Sequence, residues 1–110
     1  MNKVLGLIGE NKAKDFLINK GYKIIETNYS NKIGEIDIVA QVNDTIVFVE
    51  VKTRSSNKYG YGREAVNVSK QNKIRLVATS YIKLKKIMDK HIRFDVIEIN
   101  DSMCHIENAF

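Results

Sequence analysis

Two neighbouring stretches dominate the hydrophobic pattern. Gly34-Glu35-Ile36-Asp37-Ile38-Val39-Ala40 and Ile46-Val47-Phe48-Val49-Glu50-Val51-Lys52 are rich in Ile and Val and alternate near their ends, so both predict β-strands. Gln41 to Asp44 separates Ala40 from Thr45, and Asn43-Asp44 suits a tight hairpin turn. Before this pair, Leu5 to Lys20 predicts a helix with Leu5, Ile8, Ala13, Phe16 and Leu17 on a broad apolar face, stopped by Gly21. Tyr22 to Glu26 predicts a short strand. After the pair, Thr53 to Arg63 is polar, aromatic and Gly-containing, and predicts a loop. Ser69 is placed to cap a second helix reaching about Met88, because Ile74, Val77, Ala78, Tyr81, Leu84 and Met88 follow helical spacing. Lys70, Lys73, Lys83 and Lys86 are then expected to point away from that stripe. Ile92 to Ile99 alternates as a strand, Asn100-Asp101-Ser102 is a turn, and Met103 to Glu107 predicts a last strand. The order is α-β-β-β-α-β-β, an α/β chain with a mixed central sheet, in which the second helix links parallel strands.

The hairpin has a chemical consequence. With Asn43-Asp44 as the loop, Val42 faces Thr45, Asp37 falls opposite Glu50, and Glu35 falls opposite Lys52. Side chains alternate along a strand, so all four share one face. Two opposed carboxylates repel unless a cation lies between them. An Asp…Glu-x-Lys group of this kind supplies what metal-assisted phosphodiester hydrolysis requires: hard oxygen ligands for Mg²⁺ or Mn²⁺, and a cation near the attacking water. A surface salt-bridge ladder on a half-exposed sheet is the other reading of the same residues.

Composition narrows the class. The chain of 110 residues is 44% hydrophobic and 28% charged, contains neither Pro nor Trp, and suggests one domain over residues 1–110. One cysteine, Cys104, allows no internal disulfide, which suits a reducing cytoplasm. No stretch approaches the roughly 20 apolar residues of a membrane span, and Glu10 ends the apolar run at the N-terminus too early for a signal peptide. Net charge is +5 but uneven. Residues 1–49 balance six basic against six acidic residues; residues 50–94 carry twelve basic and three acidic; residues 95–110 carry four acidic and no Lys or Arg. A basic segment that begins at the carboxylate–lysine group favours a polyanionic partner, although a solvated Lys-rich helix face has the same composition.

Other residues join as candidates. Glu10, on the first helix, adds a carboxylate if that helix packs beside the hairpin. Glu35 is either a neighbour of the metal or a cross-strand partner of Lys52, and Glu64 suits a helix N-terminus. Arg54, Tyr59, Lys70, Lys73 and Arg75 are candidates for holding nucleic acid, the basic groups on phosphate and Tyr59, with Tyr61, by stacking on bases. His91, His105 and Cys104 do not assemble zinc ligation, since adjacent Cys104 and His105 point to opposite faces of a strand. Neither a Ser-His-Asp spacing nor a glycine-rich phosphate loop is present.

The chain resembles the YraN-like bacterial proteins, placed in the restriction-endonuclease-like superfamily. The resemblance rests on Gly9-Glu10 with Ala13, Leu17 and Gly21-Tyr22; on Asn28; on Gly34-Glu35-Ile36-Asp37; on Phe48 to Arg54; on Glu64-Ala65-Val66; on Lys70 with Ala78 and Tyr81; on Arg93 to Val96; and on His105 to Phe110. Thr27 departs from the basic residue expected before Asn28, and Gly62 stands where the loop often has proline. The resemblance spans nearly the whole chain and implies a complete protein with a restriction-endonuclease-like fold. It implies Asp37 and Glu50 as metal ligands, Lys52 as the catalytic lysine, and Glu10 as the helix carboxylate that also occurs in Holliday-junction resolvase relatives, which work as dimers. The expected activity is metal-dependent cleavage of nucleic acid, DNA ahead of RNA and branched or single-stranded DNA among its forms, with a homodimer the assembly that the dimeric relatives suggest. A non-catalytic nucleic-acid-binding module and a subunit that needs a protein partner are the alternatives.

Overall fold

The computed structural model describes residues 3–53 and 66–110. Its elements are α1 (Lys3–Asn19), β1 (Lys23–Ser30), β2 (Glu35–Val42), β3 (Thr45–Thr53), α2 (Val68–Leu84), β4 (His91–Ile99) and β5 (Met103–Ile106). The five strands form one sheet in the order β1-β2-β3-β4-β5. All neighbours are antiparallel except β3 and β4, which run parallel and are joined through α2. The element order and the mixed sheet are those the sequence predicts.

β3 lies at the centre of the sheet, which explains its unbroken apolar run: a strand covered on both faces needs no polar alternation. On one face Ala13 and Leu17 of α1 pack on Ile38, Ala40, Val47, Val49, Ile97 and Ile99. On the other, Ile74, Val77, Ala78 and Tyr81 of α2 pack on Val39, Ile46, Phe48 and Val96. Each fully buried aliphatic side chain contributes about 1.5–3 kcal/mol relative to exposure, so these two layers hold the helices to the sheet.

α1 ends as Gly21 predicts. Gly21 adopts φ +93°, its N–H donates to Ile18 O, and the Tyr22 N–H donates to Leu17 O, which closes the helix with a Schellman motif. The β2–β3 turn is the expected two-residue one: Val42 pairs with Thr45, and Asn43 takes φ +51°.

Several boundaries differ from the prediction. The second helix is capped by Asn67, whose side chain accepts from the Lys70 N–H at 2.9 Å, and not by Ser69. It stops at Leu84, before Lys86 enters the left-handed region, so Leu84 and Met88 are exposed instead of completing the buried stripe. Ile8 of α1 is also exposed. β1 runs on to Ser30, beyond the predicted Glu26. It is an edge strand with a register shift between Ile24 and Glu26 and a left-handed Asn28, which hides the alternation expected of a strand.

A buried polar network fixes β4, β5 and the chain end against α1. Fully buried Asp95 accepts from Arg93 Nε at 2.9 Å, Arg93 Nη2 at 2.8 Å and the Asn108 N–H at 3.0 Å, and lies 2.7 Å from His105 Nε2. Lys20 Nζ sits 2.8 Å from His105 Nδ1. Because an ammonium only donates, Nδ1 accepts and Nε2 carries the proton given to Asp95. Arg93 also donates to the Tyr22 hydroxyl. Burial pushes the Asp95 carboxyl up, but the bonds from His105, Arg93 and Asn108 outweigh it and hold the group below the usual carboxylate range. Cys104, the neighbour of His105, is exposed.

Candidate functional site

The β2–β3 ladder holds its register from Val42/Thr45 to Ile38/Val49. One step further, Asp37 Oδ2 accepts the Val51 N–H at 2.8 Å, so side-chain contact takes over from the backbone ladder where the carboxylates begin. The turn before β2 is pinned by Asn31, whose Oδ1 accepts from the N–H groups of Ile33 at 2.8 Å and Gly34 at 3.3 Å. From the other side of the sheet, α1 approaches the end of β3 at Gly9, where a Cβ would overlap Thr53 Oγ1. That close approach sets the next residue, Glu10, beside Asp37. Carboxylate oxygens of Glu10, Glu35 and Asp37 lie within 4.8 Å of one another.

α2 closes the site. An open cavity of about 420 Å³ is lined by Glu35, Asp37 and Glu50 on the sheet side and by Asn67, Ser69, Lys70, Lys73 and Ile74 on the helix side. Glu50 is buried, and its Oε1 lies 2.7 Å from Lys70 Nζ and 3.8 Å from Lys52 Nζ. The Asp37 carboxyl is pushed up to about 8, first by burial and then by the negative charges of Glu50 and Glu10, against the pull of the Val51 N–H. The Lys52 ammonium is held below its ordinary value by burial and by the neighbouring Lys70, with Glu50 and Asp37 opposing. Lys70 moves the other way: burial would lower it, but its bonds to Glu50 and Lys52 raise it. The two lysines are therefore unequal, and Lys52 gives up its proton first.

Glu10, Asp37, Glu50 and Lys52 thus converge, and Lys73 lines the cavity. Arg75 does not reach it. The Arg75 guanidinium sits 5.3 Å from the Phe110 ring centre and 6.0 Å from that of Phe94, which places it on the far flank of α2. Arg54 and Tyr59 lie outside the described residues, as do Tyr61 and Glu64. Of the two places the sequence left open for Glu35, the structure shows it grouped with Glu10 and Asp37. One feature exceeds the sequence reading: Lys70 is turned inward onto Glu50. The signal for Lys70 was present: it stands four residues before Ile74, in line with the buried stripe of α2.

Residues 9–99 match the model of a family described as Uncharacterised protein family UPF0102. The chain belongs to this family. UPF0102 relatives resemble it over most or all of their length: one from Alkaliphilus oremlandii is 51% identical with all of both chains covered, and one from Clostridioides difficile is 49% identical over 99% of this chain and 98% of its own. A third, from Caldicellulosiruptor bescii, is 52% identical over 88% of this chain and 82% of its own. This membership agrees with the YraN-like resemblance. Among the described residues of this UPF0102 protein, no helix is long and apolar enough to cross a membrane.

Proposed function

We propose that this chain is a Mg²⁺- or Mn²⁺-dependent nuclease that hydrolyses phosphodiester bonds, with DNA the first substrate to test. The observation that carries the reading is the convergence of Glu10, Glu35, Asp37 and Glu50 with Lys52 and Lys70, of which Glu35, Asp37, Glu50 and Lys70 line one cavity. The donor set fits the ion. It offers several carboxylate oxygens within a few ångströms and no thiolate or imidazole, the chemistry that selects a hard divalent cation.

Asp37, Glu10 and Glu50 would hold the ion, with Glu35 beside them. A bound Mg²⁺ or Mn²⁺ supplies Lewis-acid polarisation of the phosphate and lowers the pKa of a coordinated water. The protein's own groups do the rest. The Val51 N–H fixes the Asp37 carboxylate. Lys52, whose ammonium is held below its ordinary value, orients the attacking water, takes its proton at Nζ when neutral, and stabilises charge on the phosphate when protonated. Lys70 and Lys73, on the cavity wall, meet the nucleic-acid backbone.

The test is cleavage of labelled single-stranded, duplex, flap and four-way-junction DNA with Mn²⁺ or Mg²⁺, comparing the wild type with Asp37→Ala and Lys52→Ala. Cleavage lost in both variants is the expected outcome. If no substrate is cut while all three proteins bind DNA in a salt-sensitive way, the non-catalytic binding module replaces this reading.

A further inference from the structure

Among the described residues, Glu50 is the carboxylate of the site held in ion pairs, with Lys70 and Lys52. Its Oε1 is 2.7 Å from Lys70 Nζ, whereas among the described residues the oxygens of Glu10, Glu35 and Asp37 gather within 4.8 Å of one another and form no ion pair with a lysine. Lys70 is also the member of the pair that can leave. Its side chain is 42% exposed against 6% for Glu50, and it rises from the first turn of α2, where the Asn67 cap fixes the backbone but not the long side chain. Lys52 stays within reach of Glu50 at 3.8 Å, so departure of Lys70 does not strand a buried charge.

We propose that Lys70 is a positioning residue that couples nucleic acid to the metal: on the free protein it occupies Glu50 and keeps it from the ion, and a phosphate entering the cavity draws Lys70 away and releases Glu50. The proposal rests on the nuclease reading and adds an order of events to it. The ion first meets Glu10, Glu35 and Asp37, and Glu50 completes its ligation only when substrate is present. The chemistry is charge competition. An ammonium 2.7 Å from a carboxylate is a rival cation for it, and the backbone of nucleic acid is a rival anion for the ammonium. Linkage makes the effect reciprocal: if nucleic acid raises affinity for the ion, the ion raises affinity for nucleic acid by the same factor. An idle enzyme of this kind holds its ion weakly and completes its site on the substrate.

The experiment measures Mn²⁺ binding by electron paramagnetic resonance, with and without a single-stranded oligonucleotide carrying uncleavable phosphorothioate linkages. Wild type, Lys70→Gln, Lys70→Arg and Asp37→Ala are compared, and thermal unfolding confirms that each is folded. Without oligonucleotide, Lys70→Gln is expected to bind Mn²⁺ about tenfold more tightly than wild type, the scale of removing one positive charge a few ångströms from a divalent ion. Lys70→Arg should remain like wild type. Adding the oligonucleotide should tighten Mn²⁺ binding in wild type by a clearly larger factor than in Lys70→Gln, where the obstacle is already gone. Equal Mn²⁺ affinity in wild type and Lys70→Gln, with binding lost in Asp37→Ala, overturns the role of Lys70 and leaves the metal site standing. Absence of Mn²⁺ binding in wild type overturns both.

Discussion

At the scale of single residues, the molecule contains a buried aspartate, Asp95, and a half-buried one, Asp37, that its surroundings treat in opposite ways. Asp95 receives four hydrogen bonds and stays ionised; Asp37 receives one backbone N–H among other carboxylates and holds its proton up to about 8. Stability should therefore fall on both sides of an optimum. For Asp95 the folded value lies below the unfolded one, so its contribution is present above the ordinary carboxylate range and is lost as pH falls through the folded value. For Asp37 the folded value lies above the unfolded 3.8, so the folded state binds more protons in between. Metal-free stability should then decline from about pH 4 to about pH 8, by at most about 1.4 kcal/mol per pH unit. Chemical denaturation across this range checks it. Asp37→Asn should flatten the alkaline decline while the acid limb remains, and Mg²⁺ should flatten it too by replacing the proton. An unchanged slope in Asp37→Asn would contradict the assignment. The approach of Asp37 to Glu50 was legible in the sequence because a two-residue turn fixes the register of the pairs behind it, and the ladder keeps that register as far as Ile38 and Val49. The Lys70–Glu50 contact was not, because a lysine on a helix is normally read as solvated even when, as here, it falls in line with the apolar stripe.

At the scale of elements, legibility followed pattern strength. β3 and the middle of α2 were plain because one is continuously apolar and the other keeps strict helical spacing. α1 was weaker: among its described side chains it leaves Leu7, Ile8 and Ile18 exposed and buries Ala13 and Leu17, so its period is diluted. The end of α2 was overread because Leu84 and Met88 extend the period past the point where the backbone leaves the helix. No spacing rule shows how α1 meets the site, yet the glycines of that helix carry the information. Gly9 touches Thr53, while a Cβ on Gly6 would meet nothing within 4 Å. The same substitution should therefore have opposite signs at two positions three residues apart on one helix. Gly6→Ala should stabilise the protein by up to about 1 kcal/mol through helix propensity. Gly9→Ala should destabilise it by about 1–3 kcal/mol through overpacking against β3, and should weaken Mn²⁺ binding by displacing Glu10. Paired melting curves with a metal titration read both effects. Similar stabilisation by the two alanines would mean that α1 does not press on β3 at Gly9.

At the scale of the whole molecule, charge and fold converge on one end of the sheet. The chain is nearly neutral up to Val49 and strongly basic from Glu50 to Phe94. The fold then places the start of that basic segment, and the first turns of α2, around the carboxylates. Composition made a polyanionic partner legible; it did not show which basic groups face the cavity, because that depends on the rotation of α2 about its axis. Lys73 lines the cavity, whereas Arg75 is turned onto Phe94 and Phe110. Binding of single-stranded DNA, measured by fluorescence anisotropy over a salt series, should separate the two. Each phosphate neutralised contributes about 0.7 to the slope of log affinity against log salt for a single strand. Lys73→Ala should lower the slope by about that amount and weaken binding to all sequences alike, since a phosphate contact reads no base. Arg75→Ala should leave the slope unchanged and instead lower the melting temperature, because it strips a cation from two aromatic rings. A slope change in Arg75→Ala with none in Lys73→Ala would move the nucleic-acid path off the cavity and onto the opposite flank of α2, and the carboxylates at its N-terminal end would then need another substrate.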